Sequence, residues 1–87
     1  MPVTYARAAN VVWRLGPDRV MVRLVGGGDE GASDLFGSAA IAWVALDEPA
    51  TPEELAGRVA DADTVLDPGE LTEAVESLVA AGLVVAG

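Results

Sequence analysis

Residues 33–49 read SDLFGSAAIAWVALDEP. Ser33 to Phe36 is a short segment ending on two large apolar residues, Gly37-Ser38 is a turn, and Ala39 to Leu46 is an almost unbroken apolar run. A surface helix keeps a polar face, and this run has none. The run therefore predicts a helix with apolar neighbours on most sides. The segment before it is expected to be a strand, although Ala, Ser and Asp are poor strand formers.

Working outward, the residues on the N-terminal side alternate with period two. Val11, Trp13 and Leu15 fall on one face of VVWRL, and Val20, Val22 and Leu24 on one face of RVMVRLV, with Gly16-Pro17-Asp18 between them as turn chemistry. This predicts an antiparallel hairpin over 10–25, with 32–36 as a third strand at the sheet edge. Trp13 and Trp43 are expected in the core.

On the C-terminal side, helix signals dominate. Ser38 is a capping residue for a first helix over 38–46, which Asp47-Glu48-Pro49 ends. Thr51-Pro52-Glu53-Glu54 combines a capping residue, proline at the first helical position and glutamate three residues after the cap, and Asp67-Pro68-Gly69-Glu70 repeats that design. These place helices over 52–62 and 68–81. Gly82 closes the last one, and Leu83-Val84-Val85 is an apolar tail able to pair with or cover the sheet. The fold class is α+β, a three-stranded antiparallel sheet followed by three helices in one domain over 1–87.

Composition narrows the chemistry. The chain of 87 residues is 52% hydrophobic, has no Cys, His or Lys, and carries a formal charge of −9. No disulfide framework and no Cys or His metal site is available, and no cofactor is expected. The stretch is too short for a membrane helix and the N-terminus lacks signal-peptide character, so a cytoplasmic protein is expected. Residues 1–43 hold four acids and four arginines, whereas residues 44–87 hold ten acids and Arg58 alone. That half would repel phosphate backbones.

The individual motifs have plain readings. Gly26 to Gly31 fits G-x-G-x-x-G, but the fingerprint needs a helix at the glycines, and here another strand follows with Asp29 and Glu30 facing any phosphate. A hairpin loop accounts for it. Ser38 sits where nucleophilic serines sit, yet the chain has no His or Lys to serve as base. Asp61, Asp63 and Asp67 lack the spacing of a calcium loop. No catalytic site is expected.

The element order, together with RLGPDRVMVRLV, DLFGSAAIAWVALDEP, TPEELAGRVADA and DPGELTEAVESLVAAGLV, resembles the PqqD-like family, the RiPP recognition elements, over most of the chain. Family members commonly carry Leu-Asn at the strand-to-helix corner; here Leu35 is kept and Phe36 replaces the asparagine, while Trp43 and Leu46-Asp47 fit. The resemblance implies a winged helix-turn-helix-like fold and a non-catalytic peptide chaperone of natural product biosynthesis. Such a module binds the leader peptide of a ribosomally made precursor and delivers it to a separate modifying enzyme (a protease, radical or cyclising enzyme). It implies strand addition along Ala32, Ser33, Asp34, Leu35 and Phe36, with a groove wall on the last helix at Glu70, Leu71, Ala74, Val75 and Leu78. In that reading, part of the apolar stripe on the last helix stays half covered until a peptide arrives. The alternatives are a winged-helix DNA-binding regulator, opposed by Glu70, Glu73 and Glu76 on its recognition helix, and another protein-protein adaptor. No nucleic acid or membrane partner is expected.

Overall fold

The computed structural model describes residues 3–26, 32–61 and 66–87. The order is β1 (Tyr5–Arg7), β2 (Val11–Leu15), β3 (Val20–Leu24), β4 (Ala32–Leu35), α1 (Gly37–Ala45), α2 (Pro52–Asp61), α3 (Pro68–Ala80) and β5 (Val84–Ala86). Strands β2, β3 and β4 form an antiparallel sheet in that order, with Leu15 opposite Val20 and Val20 opposite Leu35. The α+β class, the hairpin and the three helices stand where the sequence placed them. The glycine loop from Gly27 to Gly31, Ala62 and Asp63 lie outside the described residues.

One element has no counterpart in the sequence reading. Tyr5–Arg7 is a strand, and it pairs antiparallel with β5 in a separate two-stranded ribbon. The C-terminal tail therefore joins the N-terminal segment rather than the main sheet. Tyr5 serves both sides: β5 lies along one, and on the other its N–H donates to the Ala50 carbonyl at 2.8 Å while its own carbonyl accepts from Ala50 N–H at 2.9 Å. A three-residue strand is too short to show period-two alternation, and its partner is almost the whole chain away.

Helix starts show which caps are local. At Thr51 the box closes in both directions: Glu54 N–H donates to Thr51 Oγ1 at 3.2 Å and Thr51 N–H to Glu54 Oε1 at 3.0 Å. The bond from Thr51 N–H, with a further contribution from the Thr51 hydroxyl, holds the Glu54 carboxyl below its usual pKa. Asp67 occupies the N-cap of α3 with proline next, but its side chain makes no capping bond, because the carboxylate lies over Gly69 instead. Ser38 does not cap α1. The extended residue at that N-cap is Phe36, and the chain turns into the helix through Gly37 at φ +55°, a left-handed conformation that glycine adopts without a Cβ clash. Ser38 thus lies inside the first turn.

At the far end of α3, Gly82 has φ +78°, with Gly82 N–H bonded to Val79 O and Leu83 N–H to Leu78 O. That pair of bonds is the Schellman closure the glycine predicted.

The core gathers Val20, Val22 and Leu35 from the sheet, Ala42, Trp43 and Leu46 from the α1 region, Leu55 and Val59 from α2, and Leu71, Ala74, Val75 and Leu78 from α3. Trp43 is wholly buried, and α1 packs against both α2 and α3. Trp13, expected beside it, is 42% exposed because β2 is a sheet edge. The two indoles meet edge to face with centroids 6.2 Å apart.

Arg7 joins this pair. Its guanidinium carbon lies 4.6 Å from the Trp13 ring centroid and 5.0 Å from that of Trp43, and it donates to the Trp43 carbonyl at 2.7 and 3.0 Å and to Val44 O at 3.3 Å. Burial lowers the Arg7 pKa, and Asp47 partly restores it. Arg58 serves the next carbonyls, those of Ala45, Glu48 and Pro49. Two guanidiniums from distant segments thus satisfy the C-terminal end of α1, which has no basic residue of its own there.

Replacing Arg7 with Ala removes charged donors from part-buried carbonyls and a cation from two ring faces. The expected cost is about 2–3 kcal/mol of folding free energy. Arg7→Lys should recover less than half of it, since an ammonium cannot place two N–H groups of a rigid fork on Trp43 O and keep a delocalised cation against two indoles. Urea melts of the two variants check this, and a lysine variant as stable as the parent would contradict it.

Candidate functional site

The residues expected to receive a peptide divide into a strand set and a helix set. The strand set is β4 with the Phe36 that follows it. Its backbone orientation follows from the hairpin: Gly16 N–H donates to Arg19 O at 2.8 Å and Val25 N–H to Asn10 O at 2.7 Å. In an antiparallel ladder hydrogen-bonded pairs alternate, so residues 19, 21, 23 and 25 turn their backbone groups to β2, and Val20, Val22 and Leu24 turn theirs to β4. Val20 opposes Leu35 and Val22 opposes Ser33. Ser33 and Leu35 are therefore bonded to β3, and Ala32 and Asp34 direct their N–H and C=O groups to the outer edge. Among the described residues no strand pairs with that edge.

Side chains alternate the other way. Leu35 is buried toward the helices, and Ala32, Ser33 and Asp34 are exposed. Arg19 holds the open corner: its guanidinium donates to Asp34 Oδ2 at 3.2 Å and to Asp18 Oδ1 at 3.0 Å, and its carbon lies 5.0 Å from the Phe36 ring centroid. The bond from Arg19 lowers the Asp18 pKa, and that same bond heads the causes raising the pKa of Arg19. Phe36 itself is half exposed.

The helix set is placed differently from the expectation. Leu71 is only 6% exposed, and Ala74, Val75 and Leu78 are at least as well buried. Leu71 and Val75 face a cleft of about 240 Å³ shared with Tyr5, Leu55 and Ala56, so they look toward α2 and β1. α3 packs mainly on α1 and on β5. The apolar stripe is therefore core and is not left half covered for a peptide; Tyr5 of the N-terminal ribbon, which the sequence reading lacked, shares the cleft with Leu71 and Val75. Glu70 alone of this set is exposed.

The sequence reading also missed a cleft at the end of the sheet, with apolar walls and the charged Asp18, Arg19, Asp47, Glu48 and Arg58 also lining it. Leu15, Val20, Gly37, Ile41 and Val44 line a depression of about 780 Å³ between the β2–β3 turn and α1, with Leu15 67% exposed. Its signal was the absence of any polar residue from Ala39 to Leu46, which reads equally as burial on all sides. Val44 shows that one flank is open.

These placements change what substitution on α3 should do. Leu71→Ala is expected to cost about 2–5 kcal/mol of folding free energy, as for other buried leucines, and Ala74→Glu to prevent stable folding by burying a carboxylate. Thermal melts decide it: a Leu71→Ala variant as stable as the parent would mean that the cleft between α2 and α3 is not part of the core.

Among the described residues, no helix is long and apolar enough to cross a membrane. Comparison with protein-family models, with curated proteins and with solved structures returns no match to this chain.

Proposed function

We propose that this chain is a non-catalytic peptide-recognition module, similar to the PqqD-like RiPP recognition elements, that takes a precursor's leader peptide as a fourth antiparallel strand on the outer edge of β4 and delivers it to a separate modifying enzyme. The observation that carries the reading is the edge itself. Ala32 and Asp34 point their backbone donors and acceptors outward, and the strand has no proline or lysine to repel an incoming chain.

Each added backbone hydrogen bond contributes about 0.5–1.5 kcal/mol net, so a strand of this length gives modest affinity and side chains must supply the rest. Leu35 is already buried, which leaves Phe36 and the small exposed faces of Ala32 and Ser33 as contact points along the edge. On the helical side the contribution is electrostatic. Glu70, Glu73 and Glu76 are exposed in a half of the chain that carries the whole net charge, which favours a leader bearing Lys or Arg and speeds encounter with it. The absence of Cys, His and Lys fits a module that presents its ligand to another protein's chemistry.

Proline scanning of β4 tests the reading. Asp34→Pro removes an outward donor and leaves the β3–β4 ladder intact, so the variant should stay folded and lose leader binding at least about tenfold, roughly 1.4 kcal/mol. Ser33→Pro removes an inward donor and should weaken the sheet itself. Calorimetric titration with the leader, alongside thermal melts, separates the two. A folded Asp34→Pro protein that binds the leader as tightly as the parent would show that β4 is not the docking edge.

A further inference from the structure

The face of the sheet turned away from the helices is a second surface, perpendicular to the β4 edge. Its side chains are fixed by the register: Val12 lies opposite Arg23 and Arg23 opposite Ala32, while Arg14 lies opposite Met21 and Met21 opposite Asp34. Arg14 and Arg23 thus stand on one diagonal of a four-residue square, and Val12 and Met21 on the other. All four are exposed, Val12 at 55% and Met21 at 37%. They line a shallow trough of about 780 Å³, and Ala32 leaves one end of it low.

The charge of this face is opposite to that of the molecule. Among the described residues neither Arg14 nor Arg23 has a carboxylate within salt-bridge distance, whereas Asp34 is already paired with Arg19. Here a chain of net charge −9 presents two guanidiniums around an apolar centre. Phosphate recognition needs a denser basic surface without an apolar middle, and the acidic half would oppose it. Carboxylates flanking an aliphatic stripe match the square, and a helix is the element that covers a sheet face. Five-residue strands span about 17 Å, the length of roughly 11 helical residues.

We propose that the outer face of the β2–β3–β4 sheet docks an acidic amphipathic helix of a partner protein, with its apolar stripe on Val12 and Met21 and its carboxylates on Arg14 and Arg23. A three-stranded face of this size is well below a standard protein interface, so the contact is weak and transient, with affinity in the micromolar range or weaker. It does not depend on what β4 binds.

The test uses the whole chain and a fluorescein-labelled helical peptide of roughly 14 residues built from Glu, Ala and Leu, with leucines at i, i+3, i+4 and i+7 between flanking glutamates, and one added Lys condensed with a Glu four residues away on the solvent face as a lactam that holds the helix. Anisotropy titration should show binding that weakens as salt is raised. Arg14→Glu with Arg23→Glu should reduce affinity at least about tenfold, and so should Met21→Asp. These positions are exposed, so melting temperatures should stay near the parent's, and leader binding at β4 should be unchanged by the arginine pair. The proposal is overturned if the parent binds the peptide no better than a sequence-scrambled one, or if the folded variants bind it equally well. Tighter binding of a lysine-for-glutamate peptide, or of short duplex DNA with a steep salt slope, would overturn it too.

Discussion

The guanidinium of Arg7, lying against the indoles of Trp13 and Trp43 and donating to the Trp43 carbonyl, ties three distant parts of the chain into one structure. It comes from the N-terminal ribbon, one ring belongs to the sheet edge, and the other is the largest fully buried side chain of the central helix. A cation in that position serves as helix cap, ring partner and strap together. Its part burial lowers its pKa without bringing an arginine near neutrality, so the strap stays charged at any ordinary pH. Trp43 carries the cost on its other side: its Nε1 is buried with no hydrogen-bond partner among the described residues. Burying the whole indole offsets that, since the ring contributes a large apolar area and two aromatic or cationic contacts.

From this strap the placement of the open surfaces follows. Because β1 and β5 form their own ribbon beside α2 and α3, the stripe of Leu71, Val75 and Leu78 is consumed by the core. Among the described residues nothing covers the edge of β4, the outer sheet face or the cleft by Leu15 and Val44. The charge divides along the same line. The exposed Arg14 and Arg23 sit on the sheet, whereas α2 and α3 carry Glu53, Glu70, Glu73 and Glu76, so partners of opposite sign would be drawn to different sides.

Much of this was legible in the residues. The hairpin followed from alternation across Gly16-Pro17-Asp18, α2 from the Thr51 and Glu54 box, and the end of α3 from Gly82, because each signal acts within a few residues of where it is read. Trp43 was legible as core because a helix with no polar face packs most of its sides against apolar neighbours, even though Val44 stays exposed. Among the features that failed to show are the strand at Tyr5, the side of α3 that is covered, the exposure of Trp13 and the entry to α1 through Gly37 in place of a Ser38 cap.

Local chemistry, then, was determined by the sequence alone: which segments are helices, where α2 starts and α3 stops, and that a third strand precedes a glycine turn. Tertiary structure decided which backbone groups of β4 face outward, that Leu71 and Val75 close against α2, and that Arg7 rather than a neighbour caps α1. The reason is physical. Caps and turns are contacts between residues three or four apart, whereas edges, covers and straps are contacts between segments whose separation along the chain carries no signal of their meeting.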